Sequence, residues 1–389
     1  RDKLARLETL DIGKPIFESS KIDVPFVANL LEYYAGWADK HHGETIPVRL
    51  NAHVYTRREP VGVCGFITPW NFPLLLMAWT VGPALAMGNT IVHKPAEISS
   101  LSALLFAEIC AEAGLPEGVF NVVTGPGRVV GEALVRHPGV DKIAFTGSTG
   151  VGQGVMAAAA ETVKPVTLEL GGTSPNIVFA DADLKAACRG ALAGIFYNKG
   201  EVCAAGSRLL VERSALEEMV DALEKASAKW VQGDPLDPAT RVGPQASKAQ
   251  YDSVLSYVAR GKEEGAQLVC GGEPNPQNGK GWFVKPTIFS GVSNQMTIAR
   301  EEIFGPVLSV IPFEDEAEAL AIANDSPFGL ASGVFTRDIK RAHRMAAALK
   351  AGTVWINTYN LYDPAAPFGG YKASGFGREL GAHALESYT

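Results

Sequence analysis

The run Asn198-Lys-Gly-Glu-Val-Cys-Ala-Ala-Gly-Ser-Arg208 sets one thiol, Cys203, among small side chains. Gly200 precedes it and Ala204, Ala205, Gly206 and Ser207 follow, so a substrate and a flat ring can approach the sulfur closely. That is a site for a nucleophile. A free cysteine titrates near 8.5, so only about 3% is thiolate at neutral pH unless a helix N-terminus or a nearby base shifts it. The candidate base lies 34 residues earlier, at Glu169 in Val166-Thr-Leu-Glu-Leu-Gly-Gly172. A carboxylate inside an apolar strand raises its own pKa, which suits a proton acceptor working near pH 7. Read alone, Cys203 is more often a small buried hydrophobe, and Glu169 is equally a carboxylate satisfied by an arginine.

Those two residues need a large scaffold. With 389 residues, the folded surface is expected to be about 15,000 Å² against roughly 60,000 Å² for the open chain. Such a chain forms more than one domain. The net charge of −7 and the lack of a basic run with interleaved aromatics argue against nucleic acid as a partner. Five cysteines without a CxxC pair read as reduced thiols, and no metal site is expected. The apolar stretch 74–87 is too short to span a bilayer and contains Gly82 and Pro83, so it reads as core.

Residues 4–39 carry a helical pattern broken at Gly13-Lys-Pro15. Residues 44–59 alternate polar and apolar through Ile46, Val48, Leu50 and Val54, the period of a half-exposed hairpin. An α/β alternation follows, with strands at 61–67, 90–93, 119–123, 142–146 and 166–170 and helices at 74–86, 101–113, 129–135 and 151–160. This pattern predicts a parallel sheet covered on both faces, with ligands beyond the strand C-termini. A second α/β series has strands at 176–180, 208–211, 307–312, 333–335 and 353–357, and helical patterns at 215–230 and 247–264. The domain change falls at Gly171-Gly172, and a cleft between the halves is expected to hold Glu169 and Cys203.

Leu168-Glu-Leu-Gly-Gly-Thr-Ser-Pro175 and Gly200-Glu-Val-Cys203 resemble the two active-site signatures of the NAD(P)-dependent aldehyde dehydrogenase superfamily. The resemblance continues through Pro69-Trp-Asn-Phe-Pro73, Phe145-Thr-Gly-Ser-Thr149, Glu302-Ile-Phe-Gly-Pro306 and Pro367-Phe-Gly-Gly-Tyr-Lys372, in family order over nearly the whole chain. Glu201 departs from it, since relatives commonly carry Gln there. The resemblance implies a Rossmann-like NAD-binding domain (1–39 and 61–171), an oligomerisation arm (40–60), an α/β catalytic domain (172–372) and a C-terminal segment (373–389). It further implies truncation at both ends, a homodimer or homotetramer and a cytoplasmic location, with no membrane partner.

For the cofactor, Gly147, Ser148 and Thr149 follow one strand and open a helix, where backbone N–H groups and the Ser148 hydroxyl can meet an anion. The same serine can instead cap that helix. Lys94 and Glu97 stand where doubly wound folds read the adenosine ribose, and a carboxylate there favours NAD over NADP. The resemblance adds Thr68, Pro69, Trp70, Gly171, Glu302 and Phe304 as cofactor-binding residues.

For the chemistry, the resemblance implies that the Asn71 amide joins the Cys203 N–H in holding an oxyanion; alone, Asn71 reads as a helix cap. The implied sequence is attack by Cys203 on an aldehyde, hydride passing to NAD⁺, and hydrolysis of the thioester by water that Glu169 activates. Phe72, Trp79, Tyr359, Tyr362 and Phe368 resemble the substrate-tunnel aromatics and suit an aliphatic, aryl or trimethylammonium aldehyde. Two other readings are a cysteine-dependent esterase, which leaves Glu97, Ser148 and Glu302 without a task, and a non-catalytic protein of the same fold.

Overall fold

A computed structural model describes residues 1–389, with an accessible surface of 16897 Å². Contacts divide the chain into two compact units. One comprises Arg1–Ile22, Glu169–Tyr362 and Gly369–Phe376, and the other Asp23–Leu168, Asp363–Phe368 and Gly377–Thr389.

The second of these carries five strands of a six-stranded sheet, β1 (Val63–Ile67), β2 (Thr90–Lys94), β3 (Phe120–Val122), β4 (Lys142–Thr146) and β5 (Val166–Glu169), the last residue of β5 being counted with the first unit. Their spatial order is β5-β4-β1-β2-β3, with β1 parallel to both β2 and β4. Strands buried on both faces read as near-continuous apolar runs, as Val63-Cys-Gly-Phe-Ile67 does. Gly65 is required there, because a Cβ would lie 2.8 Å from the Ile143 Cδ1 on the next strand. Chain direction across the sheet reverses between β1 and β4. Doubly wound folds bind ligands at that switch point, beyond the strand C-termini. Leaving β1 there is Thr68-Pro-Trp-Asn71, and leaving β4 is Gly147-Ser-Thr149.

After β1 comes helix α1 (Pro73–Ala86), which starts on a proline whose missing N–H is no loss at that position and is apolar nearly all round. After β4 comes α2 (Thr149–Ala160). The helix expected at 129–135 is shorter: Gly127–Gly131 forms a π turn and Glu132–Arg136 the α-helix. The hairpin expected at 44–59 is present but minimal, with Thr45–Ile46 paired antiparallel to Val54–Tyr55.

In the other unit a seven-stranded sheet is built from β6 (Pro175–Val178), β7 (Arg208–Glu212), β8 (Gln267–Cys270), β9 (Thr287–Ser290), β10 (Val307–Phe313), β11 (Ala331–Phe335) and β12 (Thr353–Ile356). Its order is β8-β9-β10-β7-β6-β11-β12, parallel except at β8–β9. Ile177, Leu210, Phe289, Ile311, Phe313 and Val334 fill its core beneath Val254 and Val258 of the helix Lys248–Glu263. Helix α3 (Leu184–Phe196), capped by the Asp183 carboxylate accepting the Ala186 N–H, delivers the chain to the segment that bears Cys203.

The ends of the chain depart from the domain boundaries expected from sequence. Residues 1–22 group with the seven-stranded unit, and 377–389 with the five-stranded one. Hydrogen bonds account for the first of these: Ile16 donates to the Pro235 carbonyl at 2.7 Å, and the Lys199 ammonium donates to the Ile12 carbonyl at 2.7 Å. In the second, the Val61 N–H donates to the Tyr388 carbonyl and the Tyr34 hydroxyl to that of Gly381. No helix is long and apolar enough to cross a membrane.

Candidate active site

Backbone strain marks the approach to Cys203. Asn198, Lys199 and Gly200 are three successive left-handed residues, with φ of 44°, 62° and 80°. Asparagine and glycine tolerate this; lysine does so at a cost of about 1–3 kcal/mol. Gly200 is obligatory, since a Cβ would lie 2.1 Å from the Gly305 carbonyl carbon. Buried polar groups hold the strained run. Both Glu18 carboxylate oxygens accept the Asn198 N–H, at 3.1 and 3.3 Å, and the Asn198 side chain donates to the Glu201 carbonyl at 3.1 Å.

The Glu201 side chain, which adds charge beside the thiol in sequence, turns to other partners. Its Oε2 lies 2.7 Å from the Lys199 ammonium and its Oε1 accepts the Ala246 N–H at 2.9 Å, with both side chains fully buried. Burial raises the Glu201 pKa and lowers that of Lys199, and each partner counteracts the effect on the other. Replacing Glu201 alone by Gln leaves an ammonium buried against a neutral amide. The expected loss is about 3–5 kcal/mol in urea-unfolding stability, with most of it recovered in the double variant K199Q/E201Q. Equal stabilities for the single and double variants would contradict this coupling.

Cys203 then sits half-buried in a tight turn closed by the Ala205 N–H on the Val202 carbonyl at 3.0 Å. No helix N-terminus lowers its pKa. Burial, with Glu302 and then Glu169 adding negative charge, pushes the thiol up to about 12, against weaker help from backbone N–H groups. Burial and the two carboxylates thus favour the thiol over the thiolate at neutral pH. A nucleophile so placed needs a base that removes its proton as attack proceeds. Glu169, at the end of β5 and 5% exposed, is close enough to act on it electrostatically.

The chain leaving Glu169 passes through Gly171 and Gly172, and both glycines have a steric cause. A Cβ on Gly171 would lie 2.1 Å from Glu302 Oε2, and one on Gly172 would lie 3.0 Å from the Cys203 carbonyl oxygen. Glu302 Oε1 accepts the Gly172 N–H at 2.9 Å, and burial pushes this carboxyl up to about 7. Phe304 follows with φ of 54°. Ser374, which carries no motif signal, fixes this segment by donating to the Gly171 carbonyl at 2.7 Å and accepting the Gly329 N–H at 3.0 Å.

The aromatic residues divide between the units. Phe72, Trp79 and Phe368 are buried in the five-stranded unit, with the Trp79 and Phe368 rings edge to face at 5.4 Å. Tyr359 and Tyr362 lie in the other, on either side of Trp355. Asn71, 2% exposed, directly precedes Phe72, the residue at the N-cap position of α1.

Cofactor candidates in the five-stranded unit fit a dinucleotide. Ser148 stands extended and exposed at the start of α2, at the switch point, without making a cap bond. Thr68, Pro69 and Trp70 leave the neighbouring strand at the same point. At the end of β2, the buried Lys94 ammonium donates to the Pro95 carbonyl at 2.8 Å. The exposed Glu97 accepts the Gly127 N–H at 2.9 Å, which ties down the loop 125–127.

Comparison with known proteins gives the same assignment over the whole chain. The aldehyde dehydrogenase family model matches residues 1–389. An aldehyde dehydrogenase of Emericella nidulans is 50% identical over 389 residues, covering all of this chain and 78% of its own length. The mitochondrial aldehyde dehydrogenase of Homo sapiens is 49% identical over 390 positions, with 75% of its length covered. The NAD⁺ complex of aldehyde dehydrogenase from Bacillus cereus superposes with a TM-score of 0.98 at 52% identity, over all of this chain and 79% of that one. The chain belongs to the aldehyde dehydrogenase family.

Proposed function

We propose that this chain oxidises an aldehyde to the carboxylic acid with NAD as acceptor, through covalent catalysis by Cys203. The observation that carries this reading is a thiol in a tight turn, led in by a strained segment, beside two carboxylates, the buried Glu169 and the partly buried Glu302, within one unit. Lys94, Glu97, Gly147, Ser148 and Thr149, with Thr68 to Trp70, would hold the dinucleotide, and Gly171, Glu302 and Phe304 its nicotinamide end. When bound, NAD supplies the two-electron acceptor for the aldehyde hydrogen.

Glu169 accepts the Cys203 proton as sulfur bonds to the carbonyl carbon, a role that suits a thiol whose pKa burial and nearby carboxylates raise. The Cys203 N–H and the Asn71 amide stabilise the resulting alkoxide, a pair worth about 3–4 kcal/mol per donor in comparable sites. After oxidation Cys203 carries the acyl group as a thioester. Glu169, once it has released that first proton to solvent, takes a proton from water, hydroxide adds to the acyl carbon, and the sulfur leaves as a thiol by taking that proton back from Glu169 as the acid is released. A water-activating carboxylate favours this free-acid product over acyl transfer to another thiol.

Phe72, Trp79, Tyr362 and Phe368 are the proposed wall for an aliphatic, aryl or trimethylammonium group. The hairpin of Thr45–Ile46 and Val54–Tyr55 is too short to be stable alone, which supports its reading as an arm that pairs with another copy of the chain.

The test is NADH formation by the protein across a panel of aliphatic, aryl and trimethylammonium aldehydes, with NADP⁺ in parallel. Turnover with at least one class, weaker with NADP⁺ because the Glu97 carboxylate repels a 2′-phosphate, is expected. No reduced cofactor with any aldehyde, alongside ester hydrolysis blocked by alkylating Cys203, would make the protein a hydrolase instead.

A further inference from the structure

Resting on the assignment of Cys203 as nucleophile, we propose that Tyr359 is a positioning residue that holds the turn bearing Cys203, rather than part of the wall that meets the aldehyde. The segment after β12 bends twice at asparagines in left-handed conformation, Asn357 (φ 55°) and Asn360 (φ 61°). Asn357 clamps its start to the end of β11, where its amide accepts the Thr336 N–H and donates to the Thr336 carbonyl, both at 3.0 Å. The bend drives Tyr359 inward.

Its ring fills space that three glycines leave open, one on each of three elements. A Cβ would lie 2.8 Å from the ring at Gly194 of α3, 3.1 Å at Gly206 of the nucleophile segment and 2.6 Å at Gly333 of β11. The Trp355 ring closes a further side at 4.8 Å. Only 5% of Tyr359 is exposed.

The hydroxyl donates to the carbonyl of Ala204, the residue after Cys203, at 2.9 Å. This bond adds to the Ala205 to Val202 bond and to that of the Gly206 N–H on the Gly194 carbonyl at 3.1 Å, so the turn is held at three points. Burial raises the phenol pKa well above its usual value, so the hydroxyl remains a donor at any working pH. Tyr362 differs: it is half-buried and its hydroxyl is spent locally on the Asn360 side chain at 2.9 Å.

Tyr359→Phe keeps the ring and deletes one hydrogen bond, leaving the Ala204 carbonyl without that donor. Three quantities are read: the NADH burst rate, KM across the aldehyde panel, and the pH profile of Cys203 alkylation by iodoacetamide without aldehyde. The expected result is a burst about tenfold slower, KM within twofold of wild type for every aldehyde, and an altered alkylation profile. Gly333→Ala, which displaces the ring from the strand side, should give the same signature. A wild-type burst and alkylation profile with KM raised several-fold in a substrate-dependent way would overturn the proposal and return Tyr359 to the substrate wall. If Cys203→Ala retains a wild-type burst, the underlying assignment fails instead, whatever Tyr359 does.

Discussion

Cys203→Ala is expected to lower NADH formation from every aldehyde by on the order of 10⁴-fold or more while leaving NAD⁺ binding intact. No second thiol can substitute. Cys188 is buried within α3, Cys270 lies on the edge strand β8 near the Ser227 hydroxyl, and Cys64 and Cys110 belong to the other unit. Burial raises the pKa of all four. The cofactor candidates on β1, β2 and β4 are distant in sequence from the substitution, so titration of NAD⁺ by protein fluorescence should give a near-native affinity. Wild-type turnover by the variant would remove Cys203 from the mechanism, and lost NAD⁺ binding would point to a collapsed fold.

The second large effect belongs to Glu169→Gln. An amide of the same shape preserves packing at a buried position but cannot accept a proton. Steady-state turnover should fall about 10²–10⁴-fold. Because acyl formation precedes the water step, a first turnover of NADH should still appear, slowed because the thiol has lost its proposed proton acceptor, and then stall. Stopped-flow absorbance separates the phases: a burst near one equivalent followed by a flat trace is expected, and multiple turnovers at the native rate would place the base elsewhere.

Much of this site was readable in the sequence because its signals are local. A thiol among small residues, a carboxylate at the end of an apolar run and glycines after strands each reflect a short-range requirement. The structure supplies the causes for two of them: Gly171 makes room for Glu302, and Gly200 for the backbone at Gly305. The α/β alternation likewise marked β1 to β5, because parallel strands buried on both faces are apolar throughout, but not the two-residue strand Gly375–Phe376 of the same sheet, which is too short to carry a pattern. The order β5-β4-β1-β2-β3 was not readable, since short connections do not specify which strands become neighbours.

The remainder depends on partners far apart in the chain. Tyr359 reaches the Ala204 carbonyl across 155 positions, Lys199 the Ile12 carbonyl across 187, and Ser374 the Gly171 carbonyl across 203. None of these pairs has a pattern of its own. The grouping of residues 1–22 with the seven-stranded unit has the same origin, because Glu18 and Ile12 are bound by the strained segment before the thiol. The direction of the Cys203 pKa shift was also beyond the sequence. Small neighbours suggested access, whereas burial and two carboxylates make the sulfur a poor anion at rest. Glu201 is the converse case: it lies two residues from the thiol, yet its charge is directed onto Lys199.

The central claim is that the acyl group of the substrate becomes bonded to one sulfur. Peptide mass spectrometry of Glu169→Gln, acid-quenched during the NADH burst, tests it directly. The account predicts the acyl mass, labile to hydroxylamine as a thioester must be, on the peptide containing Cys203. A full burst with that peptide unmodified, or with the acyl mass on any other residue, would contradict it.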